Sequence, residues 1–97
     1  MLKNFRTHTL AVEFYRECKK VSLPAYAKDQ LRRAAFSIAL NIAEGSDKPS
    51  LKDKARFYSI ALGSLREVQS IIRLEDLKHL EQRADHIGGC LYKLINK

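Results

Sequence analysis

The most informative pattern in the chain lies between Gln30 and Gly45, which reads QLRRAAFSIALNIAEG. At about 100° per residue, the spacing of an α-helix, Leu31, Ala34, Ala35, Ile38 and Ile42 share one broad face. Phe36, Ala39, Leu40 and Ala43 carry apolar surface further round the cylinder. The polar remainder is mainly one stripe: Arg33, Ser37, Asn41 and Glu44. Such a helix is buried from more than one side. In a small protein this predicts a central helix that also meets another subunit. Buried charges and amides need partners, so neighbouring groups are expected to satisfy the stripe.

The flanking segments also read as amphipathic helices. Leu10, Ala11, Phe14, Tyr15, Cys18 and Val21 predict a first helix over about 9–22, preceded by a fraying lead-in over 1–8 that Thr7 or Thr9 would cap. Ser22-Leu23-Pro24 breaks the pattern, with Pro24 suited to the first turn of a second helix over about 24–45. Gly45 is the expected stop. Ser46 to Pro49 is a loop, and Ser50 is the N-cap of a third helix over about 50–74, with Asp53 three residues on.

That third helix carries Leu51, Ala55, Phe57, Tyr58, Ala61, Leu62, Leu65, Val68 and Ile72 on a wide apolar face. Gly63 interrupts its polar side at a cost of about 1 kcal/mol relative to Ala; close approach of another backbone is the expected compensation. No Gly or Pro marks the next boundary. A helix running on to residue 87 would be too long for so small a domain, so a break is predicted over about 73–79, with Asp76 as the cap of the next helix. Leu80, Ala84, Ile87, Leu91, Leu94 and Ile95 predict a fourth helix over about 78–96, bent or weakened at Gly88-Gly89. Four amphipathic helices with short joins predict an all-α, antiparallel, up-down-up-down four-helix bundle forming one domain over residues 1–97.

Composition narrows the functional classes. A chain of 97 residues has a thin core, and oligomerisation would stabilise it. The net charge of +7 favours an anionic partner, nucleic acid above all. Cys18 and Cys90 make no disulfide framework and read as small buried hydrophobes. No apolar run succeeds Lys3 and Arg6, so no secretory signal is read, and no run approaches the length of a membrane span. A cytoplasmic protein without membrane contact is expected.

Two blocks of residues carry a resemblance. The first is Gln30-Leu31-Arg32-Arg33-Ala34-Ala35, Ser37-Ile38 and Asn41-Ile42-Ala43-Glu44-Gly45; the second is Phe57, Ala61, Gly63-Ser64-Leu65 and Glu67. In content and separation they resemble the signature of the bacterial four-helix-bundle proteins encoded in 23S rRNA intervening sequences. The likeness spans roughly residues 30–67, and the flanking helices agree in length and pattern. It implies an antiparallel four-helix bundle that assembles into a ring, by analogy a homopentamer. A relative of that family, the accessory variability determinant of diversity-generating retroelements, is a basic pentameric barrel that binds nucleic acid and works with a reverse transcriptase. The resemblance therefore implies nucleic acid, other copies of the chain and a reverse transcriptase or another protein as partners. Lys48 lies near where the family often carries Arg, which keeps the charge but not bidentate phosphate recognition.

The residues offer little to an enzymatic reading. Glu44 could act as a base and Arg33 as an anion clamp, but Ser37 has no His at an activating spacing. An ion pair or inter-subunit hydrogen bond is the expected role of the stripe, with Glu67 as partner of Arg33 or Arg32. Ser64, Gly63 and Gly45 are read as structural residues of the same region. His79 and His86 are seven apart, which is no helical metal-ligand spacing, and with His8 they read as solvated. No phosphate loop, cofactor motif or small-molecule site is read.

What remains is positive charge: Arg16, Lys19 and Lys20, then Arg32, then Lys48, Lys52, Lys54 and Arg56 are the candidate nucleic-acid contacts. Most of Tyr15, Tyr26 and Tyr58 near them are expected to be buried or partly buried, which leaves little for base stacking. The chain thus reads as a non-enzymatic basic oligomer that binds nucleic acid, RNA first, through backbone contacts, as an accessory to a reverse transcriptase or RNA-processing complex. The alternative is a protein-interaction scaffold with no nucleic-acid role.

Overall fold

The structure, a computed structural model, describes the chain from residue 2 to residue 97 and its side chains from residue 5 onward. Four α-helices run in order: α1 (Leu2–Lys19), α2 (Ala25–Ser46), α3 (Leu51–Leu74) and α4 (Glu81–Ile95), with one 3-10 turn, Lys78–Leu80, before α4. Each helix packs on its sequence neighbour, and α4 closes back on α1. This is the antiparallel up-down-up-down bundle, 41 × 19 × 18 Å. Its core is Ala11, Phe14 and Cys18 of α1, Leu31, Ala35, Ile38 and Ile42 of α2, Tyr58, Ala61, Leu65, Val68 and Ile72 of α3, and Ala84, Ile87 and Leu91 of α4. Each fully buried Leu, Ile or Phe contributes about 1.5–3 kcal/mol by leaving water.

α1 starts at Leu2 and so corrects the expected lead-in; Met1 lies outside the described residues. Thr7 is buried one turn before Ala11 and extends the inward stripe of Ala11, Phe14 and Cys18, so the helix continues through it and neither Thr7 nor Thr9 is a cap. Pro24 is the N-cap of α2, not a member of its first turn. Its ψ of 148° is extended, and its carbonyl accepts from the amides of Ala27 and Lys28, both at 3.0 Å.

The other end of α2 also differs. Gly45 lies inside the helix with no positive φ, and Asp47 is the C-cap. Ser46 donates its hydroxyl to the Ile42 carbonyl at 2.9 Å, and Lys54 donates to the Ser46 carbonyl at 2.9 Å. The helix end is thus closed by side chains. Ser50 caps α3 as expected, accepting from the Asp53 amide at 3.1 Å.

The α3–α4 break falls inside the predicted window, but Asp76 does not cap α4. It sits just past α3 with φ of 56°, while Leu77 donates back to Ile72 at 2.8 Å and buries its side chain. That is the left-handed closure usually made by glycine. Leu80 is the N-cap of α4, without a side-chain cap.

α4 runs unbroken through Gly88-Gly89. A Cβ on Gly88 would stand 3.0 Å from Leu65 Cδ2, so the first of the pair lets α3 and α4 approach. Around Gly63 there is open space, which contradicts a backbone approach within this chain. Leu51 is likewise exposed, not part of the core. α4 has 15 residues to the 24 of α3 and leaves the first turn of α3 uncovered. Phe36 and Leu40 on α2 and Ile60 on α3 remain about half exposed, the apolar surplus expected of these two helices.

Candidate nucleic-acid interface

The bundle divides the candidate basic residues between its two ends. Arg16, Lys19 and Lys20 sit where α1 runs into α2, beside the α3–α4 junction, whereas Lys48, Lys52, Lys54 and Arg56 lie around the α2–α3 loop at the opposite pole. Arg32 is exposed on α2, nearer the first group. Antiparallel helices about 30 Å long keep the groups apart.

The α1 group is partly engaged. Lys20 pairs with Glu17 at 3.1 Å, and Arg83 of α4 reaches the same carboxylate at 4.0 Å. The Lys20 ammonium, with Arg83 and His79 adding to it, holds the Glu17 carboxyl below its ordinary range. Lys19 lies over the Tyr15 ring at 5.2 Å, and Tyr15 meets Phe36 edge-on at 5.7 Å.

The loop end is the more basic pole. Arg6 of α1 and Lys93 and Lys97 near the chain end join Lys48, Lys52, Lys54 and Arg56, against Glu44, Asp47 and Asp53. Phe57 lies beneath two cations there: Lys48 Nζ stands 4.9 Å and the Arg56 guanidinium 5.6 Å from its centroid. The ring's π-electrons attract both charges and keep both near it. Lys48 also pairs with Glu44 at 3.6 Å. Lys54 is turned inward onto the Ser46 carbonyl and serves the helix end. Of the four candidate cations here, Lys52 and Arg56 are the exposed ones.

The polar stripe of α2 is only partly drawn into α3. Ser37 and Ser64 share a hydrogen bond of 2.8 Å, and Asn41 donates to the Ser37 carbonyl at 2.9 Å and to its hydroxyl at 3.1 Å. Arg33 pairs with Asp29, one turn back, at 3.2 Å. Of the Glu67 pairings with Arg33 or Arg32 expected within or between subunits, none is formed within the chain among the described residues, where Arg33 takes its nearer i,i+4 partner.

A sequence model of the 23S rRNA-intervening sequence protein family matches residues 5–93. The chain belongs to that family. The match runs from α1 well into α4 and includes both poles of the bundle. No curated protein matches this 23S rRNA intervening-sequence family member.

The side chains that sequence reasoning missed are Phe57 as a support for cations, and Arg66 and Arg73 on the exposed side of α3. In the sequence Phe57 reads only as apolar; its i+9 offset from Lys48 across a loop carries no periodic signal. Tyr58 is buried and Tyr15 partly buried, as expected of most of the three tyrosines, and Tyr26 is 72% exposed because it lies in the first turn of α2. Cys18 is fully buried, and burial pushes its thiol up to about 12. Cys90 is only partly buried, 4.0 Å from His86, and so departs from the expected core role. Among the described residues no three His, Cys, Asp or Glu side chains are grouped to hold a metal, and no helix is long and apolar enough to cross a membrane.

Proposed function

We propose that the chain acts as a non-enzymatic, self-associating basic protein of the cytoplasm that binds nucleic acid, RNA first, through the phosphate backbone. It would serve as an accessory to a reverse transcriptase or RNA-processing complex. The observation that carries this reading is the loop pole, where Lys48 and Arg56 are held over Phe57 beside the exposed Lys52. Cations fixed together meet a polyanion at less conformational cost than free lysines. Self-association, pentameric by the family likeness, would repeat the pole around one rim and multiply its field. The half-exposed Phe36, Leu40 and Ile60 are the surface on which copies would meet.

Filter binding of a structured RNA across a salt series tests the reading. Binding that weakens linearly in log salt is expected, with a slope of about −5 if five or six phosphates are neutralised. An absence of binding to RNA and single-stranded DNA at low salt overturns it. The same exposed apolar side chains favour a second reading, a protein-interaction scaffold whose charge only keeps it soluble. Retention of a protein partner by a Lys48→Glu, Lys52→Glu, Arg56→Glu variant would select it.

A further inference from the structure

The exposed face of α3, with its groove against α4, carries a second arrangement of cationic and aromatic groups, away from the loop pole. Arg66 and Arg73 lie on the same side of α3, both exposed and neither in an ion pair among the described residues. Between them are Gln69 and Ser70, and these four with Leu74 line a concavity of about 550 Å³. Arg66 and Gln69 also line a second hollow, of about 260 Å³, which reaches Asp85 and Tyr92 of α4. The two hollows meet at Arg66 and Gln69, which line both. Tyr92 is 62% exposed at its far end.

The order of groups suits a flexible polyanion. Seven residues of helix separate the two guanidinium-bearing positions by about 10 Å along the axis. That is about the span of three nucleotides stacked at 3.4 Å each. Arginine forks grip phosphate oxygens with two donors apiece. Tyr92 offers a ring face to an unstacked base. Asp85 accepts from Gln69 at 3.0 Å, which leaves carboxylate lone pairs free for the exocyclic amine of a base. A duplex has its bases stacked inside and could use only the arginines.

We infer that the exposed face of α3 and its groove with α4 form a binding track for single-stranded nucleic acid, with Arg66 and Arg73 on the phosphates and Tyr92 stacking a base. The inference rests on the nucleic-acid reading above and assigns it a surface distinct from the loop pole.

Fluorescence anisotropy of the full chain with labelled hexanucleotides, oligo(C) in one arm and oligo(dC) in the other, tests the track, since cytosine carries the exocyclic amine and the two arms differ only in the sugar. Arg66→Gln with Arg73→Gln is expected to weaken binding about tenfold and flatten the salt slope by about 1.4, at about 0.7 per lost phosphate contact. Tyr92→Ala is expected to weaken binding by a similar factor with the slope unchanged, since stacking releases no counterions. All three positions are exposed, and unchanged circular dichroism confirms the fold. Stronger binding in one arm identifies the sugar of the strand. Parent-like affinity in both variants, with loss only on neutralising Lys48, Lys52 and Arg56, overturns the track and leaves the general reading standing. A parent protein that binds neither oligonucleotide and no structured RNA overturns both.

Discussion

Gly45 of α2 faces the ring of Tyr58 on α3 so closely that a Cβ there would stand 2.6 Å from Tyr58 Cε1. The glycine is present for this contact and not for a left-handed turn, since its φ is not positive. Tyr58 is 2% exposed and cannot swing away without opening the core. With the clash against a buried ring, overpacking by Gly45→Ala is expected at the upper end of the usual range, about 3 kcal/mol, against about 1 kcal/mol regained in helix propensity, so the bundle loses about 2 kcal/mol net. A lower urea midpoint checks it, and an unchanged midpoint contradicts the contact.

Asp76 has the opposite requirement. Its φ of 56° is a conformation that costs an ordinary L-residue about 1–2 kcal/mol, less for Asp, and glycine almost nothing. Asp76→Gly should raise stability by roughly 0.5–1 kcal/mol, and Asp76→Val should lower it by more than that. Thermal unfolding of the pair reads both signs.

Gly63 separates stability from assembly. Open space surrounds it in the chain, so Gly63→Ala is expected to stabilise α3 by about 1 kcal/mol. Should copies pack against this face, a bulkier Gly63→Leu would shift the sedimentation profile towards smaller species while leaving the helix content intact. Sedimentation velocity beside circular dichroism measures the two effects separately.

The cysteines should differ sharply in reactivity. Cys18 is buried and its thiol is pushed up to about 12, whereas Cys90 is partly accessible. At pH 8 iodoacetamide is expected to label Cys90 alone in the native protein and both after denaturation. The linkage has a definite sign. The folded state holds the Cys18 proton above the ordinary thiol value of 9.0, so this contribution is whole below that pH and is lost as pH rises from there towards about 12. Cys18→Ala should flatten the alkaline decline.

Ser37 and Ser64 link the polar stripe of α2 to α3 through a hydrogen bond of 2.8 Å. Ser37→Ala is expected to cost about 1 kcal/mol and leave the Ser64 hydroxyl and the Asn41 amide with less. A double-mutant cycle with Ser64→Ala measures the coupling.

Four helices, their order and most of the core are legible because the periodic positions of α2, α3 and α4 are apolar. Where a structural residue is polar, the pattern gives no signal. Thr7 continues the buried face of α1 without looking hydrophobic, so the first turns of that helix carry no apolar period. Asp76 supplies a conformation usually announced by glycine. The candidate interface is less legible still. Charge alone picks out Lys48, Lys52, Lys54 and Arg56, but not that Lys54 turns inward to Ser46 or that Phe57 holds two of its neighbours.

By itself the sequence of Gln30–Gly45 determined a helix with more apolar surface than one core could take, because periodicity is a local property of the chain. Only the tertiary structure decided which part went inside, leaving Phe36 and Leu40 half exposed while Ser37 met Ser64. It also sent the α1 and loop-end charges to opposite poles, since antiparallel packing converts separation along the chain into separation in space. Glycine shows the same division. Gly45 reads as a helix stop and Gly63 as a point of close approach, whereas their surroundings make Gly45 the tight contact inside a helix and Gly63 an open face.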